Sequence, residues 1–381
     1  MGVFTQSVPR GLREKLYEIN WALVLLIVLI GMIGVGMLYS VEGGQWDPYA
    51  SRHAVRFAAG FAVMLTVALA PPRLWMGLAY PAYLGALVLL VGVEFFGSVA
   101  MGAKRWLDIG PIRMQPSEIM KIALVLALAR YYHDLEEHRV SSLFGLLIPV
   151  MMIAAPVLLV SRQPDLGTSV LIAATGLVIV FLAGLSWRVI GAGAVFGAIG
   201  VWGLLQYGLK DYQRERIFTF LNPEADPLGA GYQIMQSKIA LGSGGMTGKG
   251  YMEGSQAHLN YLPEKQTDFI FTMLGEEFGF VGCIVVLGLY AILLMNCLMI
   301  AASCKSTFLR LVVMGVASTF AFYVFINAGM VMGLFPVVGV PLPMISYGGS
   351  VMMTVLIGLG LILGAHVHRG AEPPKGAGLF G

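Results

Sequence analysis

The sequence predicts an all-α, polytopic membrane protein of about ten transmembrane helices with one large loop outside the bilayer. Of the 381 residues, 57% are hydrophobic and only 12% are charged, about half the charged fraction of an average soluble domain. The apolar residues gather in blocks of about 17 to 25, the length that crosses a bilayer as a helix. The net charge of +3 is too small to indicate a nucleic-acid partner.

The chain, residues 1–381, is interpreted as a single transmembrane domain. The first apolar block follows Arg10, Arg13 and Lys15, and it is too long for a signal peptide and lacks a small-residue cleavage site. It is therefore predicted to be retained as a span. The ten predicted spans cover residues 19–40, 53–70, 74–96, 118–133, 142–160, 168–186, 188–207, 269–300, 308–334 and 346–367.

An even number of spans places both termini on one side, and the basic N-terminus favours the cytoplasm for that side. Positive charges also occur on the opposite side, where a functional reason is expected for them. The longest segment between spans, residues 208–267, is then periplasmic. Within it, Tyr232, Met235 and Ile239 fall at helical spacing and predict a short amphipathic helix along the membrane.

The three cysteines lie in or just after one apolar block, at Cys283, Cys297 and Cys304. None of them has a plausible partner in an extracellular loop, so no disulfide is predicted.

Charged residues crowd the start of the eighth span, in "YLPEKQTDFIFTMLGEE", residues 261–277. A charge near the bilayer centre costs about 2.5 to 3.5 kcal/mol on insertion scales. Asp268 has two interpretations of equal weight: it caps the helix that follows, or it is functional. Capping does not explain Glu264, four residues earlier.

Two further spans begin with acids. In "QPSEIMK", Glu118 and Lys121 are three residues apart, so they share a helix face and can form an ion pair. That pair either makes insertion tolerable or orients groups in a polar cavity. In "RQPDLGTS", Arg162 and Asp165 bracket a proline, and Asp165 or Thr168 is a candidate helix cap.

Basic residues lie in "GAKRWLDIG", where Lys104 and Arg105 adjoin Trp106. They form either an interfacial belt of basic and aromatic residues or a clamp for an anionic headgroup. The glycine-rich "GSGGMTGKG", residues 242–250, fails the P-loop pattern because Gly250 follows Lys249 where Ser or Thr is needed. It is either a flexible loop or a backbone cradle for phosphate.

"FPVVGVPLPMISYGGS", residues 335–350, is rich in proline and glycine just before the last span. It predicts either a broken segment that lines a cavity or a tight surface loop. With the predicted topology, charged and polar residues of several spans fall on one side, which indicates a site for a charged, membrane-embedded substrate. These residues are Arg52, Lys104, Arg105, Glu118, Arg162, Asp165, Lys249, Glu264, Asp268 and Ser346.

Taken together, "GAKRWLDIGPIRMQPSEIMK", "QPDLGTS", "LPEKQTDFIFTMLGEEFGFVG" and "FPVVGVPLPMISYGGS" resemble the SEDS family of shape, elongation, division and sporulation proteins. The likeness runs from about residue 20 to 368. "HLNYLPEKQTDFIF" and "PVVGVPLP" are more similar to the elongation members than to the division members. Lys265 and Gln266 depart from the Arg and His that many elongation members carry.

The resemblance implies an inverting peptidoglycan glycosyltransferase in the bacterial cytoplasmic membrane, with lipid II as its substrate. It places the essential acid at Asp268, as general base, with Glu264 beside it to orient it or to hold a cation. Substrate-binding roles fall on Arg52, Lys104, Arg105, Asp165 and Lys249, and Glu118 with Lys121 is a supporting charge pair. A divalent cation, Mg²⁺ or Mn²⁺, is the expected cofactor, with no ligand set assigned.

The resemblance also implies a partner, a class B penicillin-binding protein with transpeptidase activity, within the elongation machinery. Two other functions stay open at this stage. A lipid II flippase would suit ten spans and buried ion pairs, but it needs polar groups in both leaflets. A scaffold that only recruits partners leaves the charged residues unexplained.

Overall fold

The protein is a bundle of long helices, described here from a computed structural model of residues 11–100, 103–110, 112–203, 214, 218–226, 229–255 and 262–376. A short helix α1 (Leu12–Tyr17) precedes the bundle. The helices of the first half are α2 (Trp21–Val41), α3 (Tyr49–Leu69), α4 (Pro72–Phe96), α5 (Pro116–Asp134), α6 (Leu143–Arg162), α7 (Leu166–Leu182) and α8 (Trp187–Gly203). The second half contains α9 (Ala230–Ser243), α10 (Ile270–Ser303), α11 (Thr307–Val331) and α12 (Gly349–Val367).

Each of the ten predicted spans coincides with one of these helices, because block length and apolarity are local properties of the sequence. Within the described part of the chain, seven helices are long and apolar enough to cross a membrane: α2, α3, α4, α6, α10, α11 and α12. The chain is thus a multi-pass membrane protein. The end of the seventh predicted span, 204–207, and residues 208–213, 215–217, 227–228 and 256–261 of the predicted 208–267 loop lie outside the described residues.

A small antiparallel sheet joins α4 to α5 and departs from the all-α prediction. It consists of β1 (Ser98–Ala100), β2 (Ala103–Ile109) and β3 (Ile112–Met114), in the order β1-β2-β3. Leu107 pairs with Met114, and Gly110 has a φ of 61° in the turn between them. Successive side chains of a strand point to opposite faces, so the adjacent Lys104 and Arg105 diverge.

Helix α10 is interrupted at Gly279, whose φ of 64° and ψ of −161° are not helical. The glycine-rich segment 244–250 fills the break: Phe280 N donates to Gly245 O at 2.9 Å, and Gly250 N donates to Glu277 O at 3.0 Å. A Cβ on Gly248 would lie 2.1 Å from Glu277 O, so the approach requires glycine. The N–H groups of Gly248, Lys249 and Gly250 all donate to carbonyls within the protein, which argues against the interpretation of this segment as a phosphate cradle.

The predicted amphipathic helix within the 208–267 loop is present as α9. Its Met235 and Ile239 side chains are exposed, whereas Ile234 and Ser237 are buried against the bundle. The exposed apolar pair fits the predicted position at a membrane surface. The three cysteines are all unpaired.

The middle of the proline-rich segment, residues 342–346, is buried, which contradicts its interpretation as a surface loop. Leu342 and Ile345 are almost fully enclosed. Tyr290 Oη donates to Pro343 O at 2.6 Å, and His53 Nε2 lies 3.0 Å from Met344 O. Non-helical backbone at this depth requires such internal partners because lipid supplies none.

Candidate active site

Two chain segments meet at the start of α10, one carrying the predicted acids and the other belonging to the proline-rich 335–350 segment. Ser346 Oγ donates to Thr267 O at 2.5 Å, and Tyr347 N donates to Gln266 O at 2.9 Å. The backbone just before Asp268 is therefore hydrogen-bonded to the proline-rich segment. A rigid support of this kind is what positions a reacting group accurately.

Asp268 lies just before α10, and its carboxylate does not cap the helix. Phe269 is the residue that precedes α10, and no side chain makes a cap hydrogen bond there. The capping interpretation is thus wrong. The pKa of Asp268 is raised to about 7: burial contributes most, the negative charges of Glu264 and Asp165 also raise it, and Arg105 lowers it. A carboxyl that titrates near neutral pH is suited to take up a proton.

Glu264 is held beside Asp268 by the turn that connects them. Thr267 Oγ1 donates to Glu264 Oε2 at 2.9 Å, and Thr267 N donates to Glu264 O at 3.2 Å. Glu264 is close enough to act on the titration of Asp268 by repulsion. The structure therefore brings the two predicted acids together.

Arg105 and Asp165 form the second part of the site. Arg105 Nη1 lies 3.8 Å from Asp165 Oδ2. Gln115 Nε2 donates to the same oxygen at 2.9 Å, and Thr168 N donates to Asp165 Oδ1 at 3.2 Å. Asp165 therefore caps α7, as predicted, and also orients Arg105. The side chain of Arg105 is 21% exposed, so part of it remains accessible to an anionic ligand.

The predicted charge pair between Glu118 and Lys121 is present and almost fully buried. Lys121 Nζ lies 2.6 Å from Glu118 Oε1, and Tyr323 Oη donates to Glu118 Oε2 at 2.9 Å. Lys121 Nζ also donates to Tyr323 Oη. The pair adjoins the site because α5 begins immediately after Gln115. Opposite charges and a shared hydroxyl satisfy each other, which is the arrangement that a buried ion pair requires.

Three predicted binding residues are not drawn into this cluster. Lys104 Nζ donates to Glu94 O at 2.7 Å, at the end of α4, on the other face of β2 from Arg105. Lys249 Nζ lies 2.6 Å from Glu276 Oε1, on α10. Arg52 is exposed on α3 and makes no ion pair with a described residue.

Sequence reasoning missed three side chains of the site: Gln115, Tyr323 and Asn327. Asn327 Nδ2 donates to Asp268 O and to Val340 O, each at 2.8 Å. A detectable signal existed for Asn327, because an amide within the apolar run "AFYVFINAGMVMG" needs a buried polar partner. Tyr323 gave no comparable signal, because a tyrosine in an apolar helix is commonly a packing residue.

The carboxylates of the site supply part of what a divalent cation requires. The described residues contain no group of three or more His, Cys, Asp or Glu side chains able to hold a metal. Glu264 and Asp268 supply two carboxylates. Magnesium is commonly bound by one or two carboxylates together with substrate phosphates. The residues present therefore fit a cation that is held partly by an anionic substrate.

This combination of a multi-helix membrane bundle and a half-buried acid supported by a proline-rich segment corresponds to a known class. Residues 16–371 match the family model for FtsW, RodA and SpoVE, described as "Cell cycle protein". The chain belongs to this family, the one that the sequence motifs resemble. It is 45% identical over 346 residues to the peptidoglycan glycosyltransferase MrdB of Escherichia coli, covering 91% of this chain and 93% of that protein.

Other relatives span both branches of the family. The peptidoglycan glycosyltransferase RodA of Treponema pallidum is 31% identical, with 92% of this chain and 98% of that protein covered. A probable peptidoglycan glycosyltransferase FtsW of Trichlorobacter lovleyi is 36% identical, with 92% and 93% covered.

Solved structures show the same fold. A chain from work described as "Structural coordination of polymerization and crosslinking by a peptidoglycan synthase complex" superposes with a TM-score of 0.80, at 33% identity, covering 92% of this chain and 98% of that chain. The crystal structure of the rod shape determining protein RodA of Thermus thermophilus gives a TM-score of 0.69 at 29% identity, with 92% and 97% covered.

Proposed function

We propose that this chain is a peptidoglycan glycosyltransferase that polymerises lipid II into glycan strands during cell elongation, with Asp268 as its general base. The observation that carries the proposal is the position of Asp268: it is half-buried beside the Gly339 backbone, its pKa is raised to about 7, and Arg105 lies close enough to affect that pKa. The likeness to glycosyltransferases over more than nine-tenths of the chain supports it.

The reaction needs one base and one set of positive charges. An acceptor sugar hydroxyl loses its proton to the Asp268 carboxylate, and the hydroxyl oxygen forms a bond to the anomeric carbon of the donor. The bond from that carbon to the phosphate oxygen breaks, and the lipid pyrophosphate leaves with the electron pair. No second acid is required because pyrophosphate leaves as an anion. An inverting displacement of this type needs base and leaving group on opposite faces of the sugar.

Arg105 is the residue best placed to hold the leaving group. Asp165 fixes one nitrogen of its guanidinium, and the remaining donors suit phosphate oxygens. Arg52 adds positive charge at the exposed end of α3. Lys104 and Lys249 are less well placed as pyrophosphate ligands. Lys104 donates to a carbonyl at the end of α4, and Lys249 is paired with Glu276.

The proposed cofactor is a divalent cation, with Mg²⁺ and Mn²⁺ as candidates, which Glu264 would hold together with the substrate phosphates. When bound, it would neutralise the charge that develops on the leaving group. The negative charge of Glu264, which acts on the pKa of Asp268, supports a cation at this position.

The proposed setting is the cytoplasmic membrane, with both termini in the cytoplasm and Asp268 at the periplasmic face. The proposed partner is a class B penicillin-binding protein of the elongation machinery. Its support is the likeness to a chain from a peptidoglycan synthase complex.

The test is polymerisation of labelled lipid II in detergent by the purified chain, with and without its partner. Glycan polymer that requires this chain supports the proposal, because a flippase forms no glycosidic bond. Absence of polymer with the partner present, together with transport of lipid II across vesicles, would support the flippase instead.

A further inference from the structure

Asn327 connects the two segments that form the site. It lies on α11, and its side chain is completely buried. Its single amide nitrogen donates one hydrogen bond to the main-chain carbonyl of Asp268 and one to that of Val340, each at 2.8 Å. Both hydrogens of the amide are used, and each bond joins a different segment to α11.

The chemistry of this position is specific for a primary amide. Both partners are carbonyl oxygens, so the nitrogen must face them, and a carboxylate there would repel both. The amide oxygen is buried and has no partner among the described residues. An unsatisfied buried acceptor costs about 1 to 3 kcal/mol. The position therefore keeps a group that is not the best choice for stability alone.

The second bond of Asn327 determines what lies against the Asp268 carboxylate. Val340 follows Gly339, which has a φ of 68°, and a Cβ on Gly339 would lie 3.4 Å from Asp268 Oδ2. The Asp268 carboxylate thus faces the backbone of Gly339. Because one nitrogen of Asn327 holds both Asp268 O and Val340 O, Asn327 fixes the distance between the Asp268 main chain and the Gly339–Val340 backbone.

We propose that Asn327 is a positioning residue for the glycosyl transfer, holding the main chain of Asp268 in register with the Gly339–Val340 backbone. The proposal rests on Asp268 being the base. Ser346 holds the same acid segment at Thr267 O, one residue earlier. Ser346 and Tyr347 hold only residues that precede Asp268, so without Asn327 the carboxylate can swing away from the attacking hydroxyl. A misplacement of about 1 Å can cost roughly 10²-fold in rate.

The control is another buried hydrogen bond to α11, made by Ser237 of α9. Ser237 is also completely buried; its Oγ donates to Val331 O of α11 at 2.8 Å and lies 2.8 Å from Thr272 Oγ1 of α10. Ser237→Ala and Asn327→Ala each remove a buried side-chain bond to main chain, but only Asn327 reaches the acid. The two variants separate a positioning role from a general loss of stability.

The experiment measures kcat, KM for lipid II and the pH dependence of the rate in the purified complex with its partner. We expect Asn327→Ala to lower kcat by about 10- to 100-fold with KM changed less than about threefold. The acidic limb of its pH-rate profile should move to lower pH. Without the bond from Asn327, the Asp268 carboxylate becomes better solvated beside Glu264, Arg105 and Asp165. Ser237→Ala should keep the wild-type kcat and pH limb.

Equal kcat for Asn327→Ala and Ser237→Ala, or an unmoved pH limb, would overturn the proposal. Where Asn327→Ala is not recovered as folded protein, Asn327→Ser retains one donor and should lose kcat by an intermediate factor; a wild-type kcat there overturns it equally. A distinct outcome, in which Asp268→Asn retains the wild-type rate, shows that the base itself was assigned wrongly.

Discussion

The guanidinium of Arg105 lies 3.8 Å from the carboxylate of Asp165, the same carboxylate that caps α7. One acid therefore ties a strand of the small sheet to the first turn of a helix. This relationship leads to the first prediction. Arg105→Lys keeps the charge but loses the planar fork, and it should lower the polymerisation rate by roughly tenfold or more.

The control for Arg105→Lys is Arg113→Gln. Arg113 lies on the neighbouring strand, where it makes an exposed pair with Asp108 at 3.5 Å and lies over the ring of Trp106, 5.2 Å from its centroid. Exposed pairs of this kind contribute about 0 to 1 kcal/mol, so this variant should polymerise at the wild-type rate. Similar rates for Arg105→Lys and the wild type would show that Arg105 does not bind the leaving group.

The buried pair between Glu118 and Lys121 predicts that removing both charges costs less stability than removing one. Glu118→Gln leaves the Lys121 ammonium buried without its counter-charge, and breaking such a pair commonly costs about 3 to 5 kcal/mol. Glu118→Gln combined with Lys121→Met removes both charges and should be more stable than the single variant. Thermal unfolding in detergent measures both. A double variant less stable than Glu118→Gln would contradict this account.

Labelling by an impermeant thiol reagent tests the proposed orientation. Glu253 is exposed in the segment that precedes the acids, and Glu136 is exposed in the loop after α5. A cysteine at Glu253 should react in intact spheroplasts, and one at Glu136 only after lysis. The background carries Cys283→Ala, since that native thiol is partly exposed. The reverse pattern would place the site on the cytoplasmic face.

The raised pKa of Asp268 predicts the pH dependence of the rate. The base must be ionised, so kcat/KM should rise with pH through about 7 and level off above it. The negative charge of Glu264 contributes to the raised pKa, so Glu264→Gln should move this limb to lower pH. A pH-rate profile of both proteins checks it, and a limb that stays or moves to higher pH would contradict the assignment.

The extent of sequence-based prediction can be judged from particular residues. Asp268, Glu264 and the pair at Glu118 were identifiable because a charge beside an apolar run needs a reason. The positions of Lys104 and Arg105 were not separable, since only the strand geometry sends them to opposite faces. The break at Gly279 was missed because the segment that fills it is distant in sequence. Asn327 was missed because its two partners are main-chain carbonyls, which the sequence does not mark.

The most direct test of the central claim is the rate and stability of Asp268→Asn, measured together. Asparagine keeps the size of the side chain but cannot accept the proton, and loss of a general base commonly lowers the rate by about 10² to 10⁴. Because the pKa of Asp268 is raised in the folded state, its ionisation lowers the free energy of unfolding of the protein as pH rises through about 7. At pH above 7 the variant should therefore unfold at the wild-type temperature or higher.

The account predicts near-zero glycan polymer from folded Asp268→Asn, with normal binding of the partner and an unfolding temperature that does not fall. Polymerisation of lipid II by Asp268→Asn at close to the wild-type rate would contradict it and leave Glu264 as the next candidate for the base. A loss of polymer that only follows a loss of folded protein would equally contradict the chemical role of Asp268.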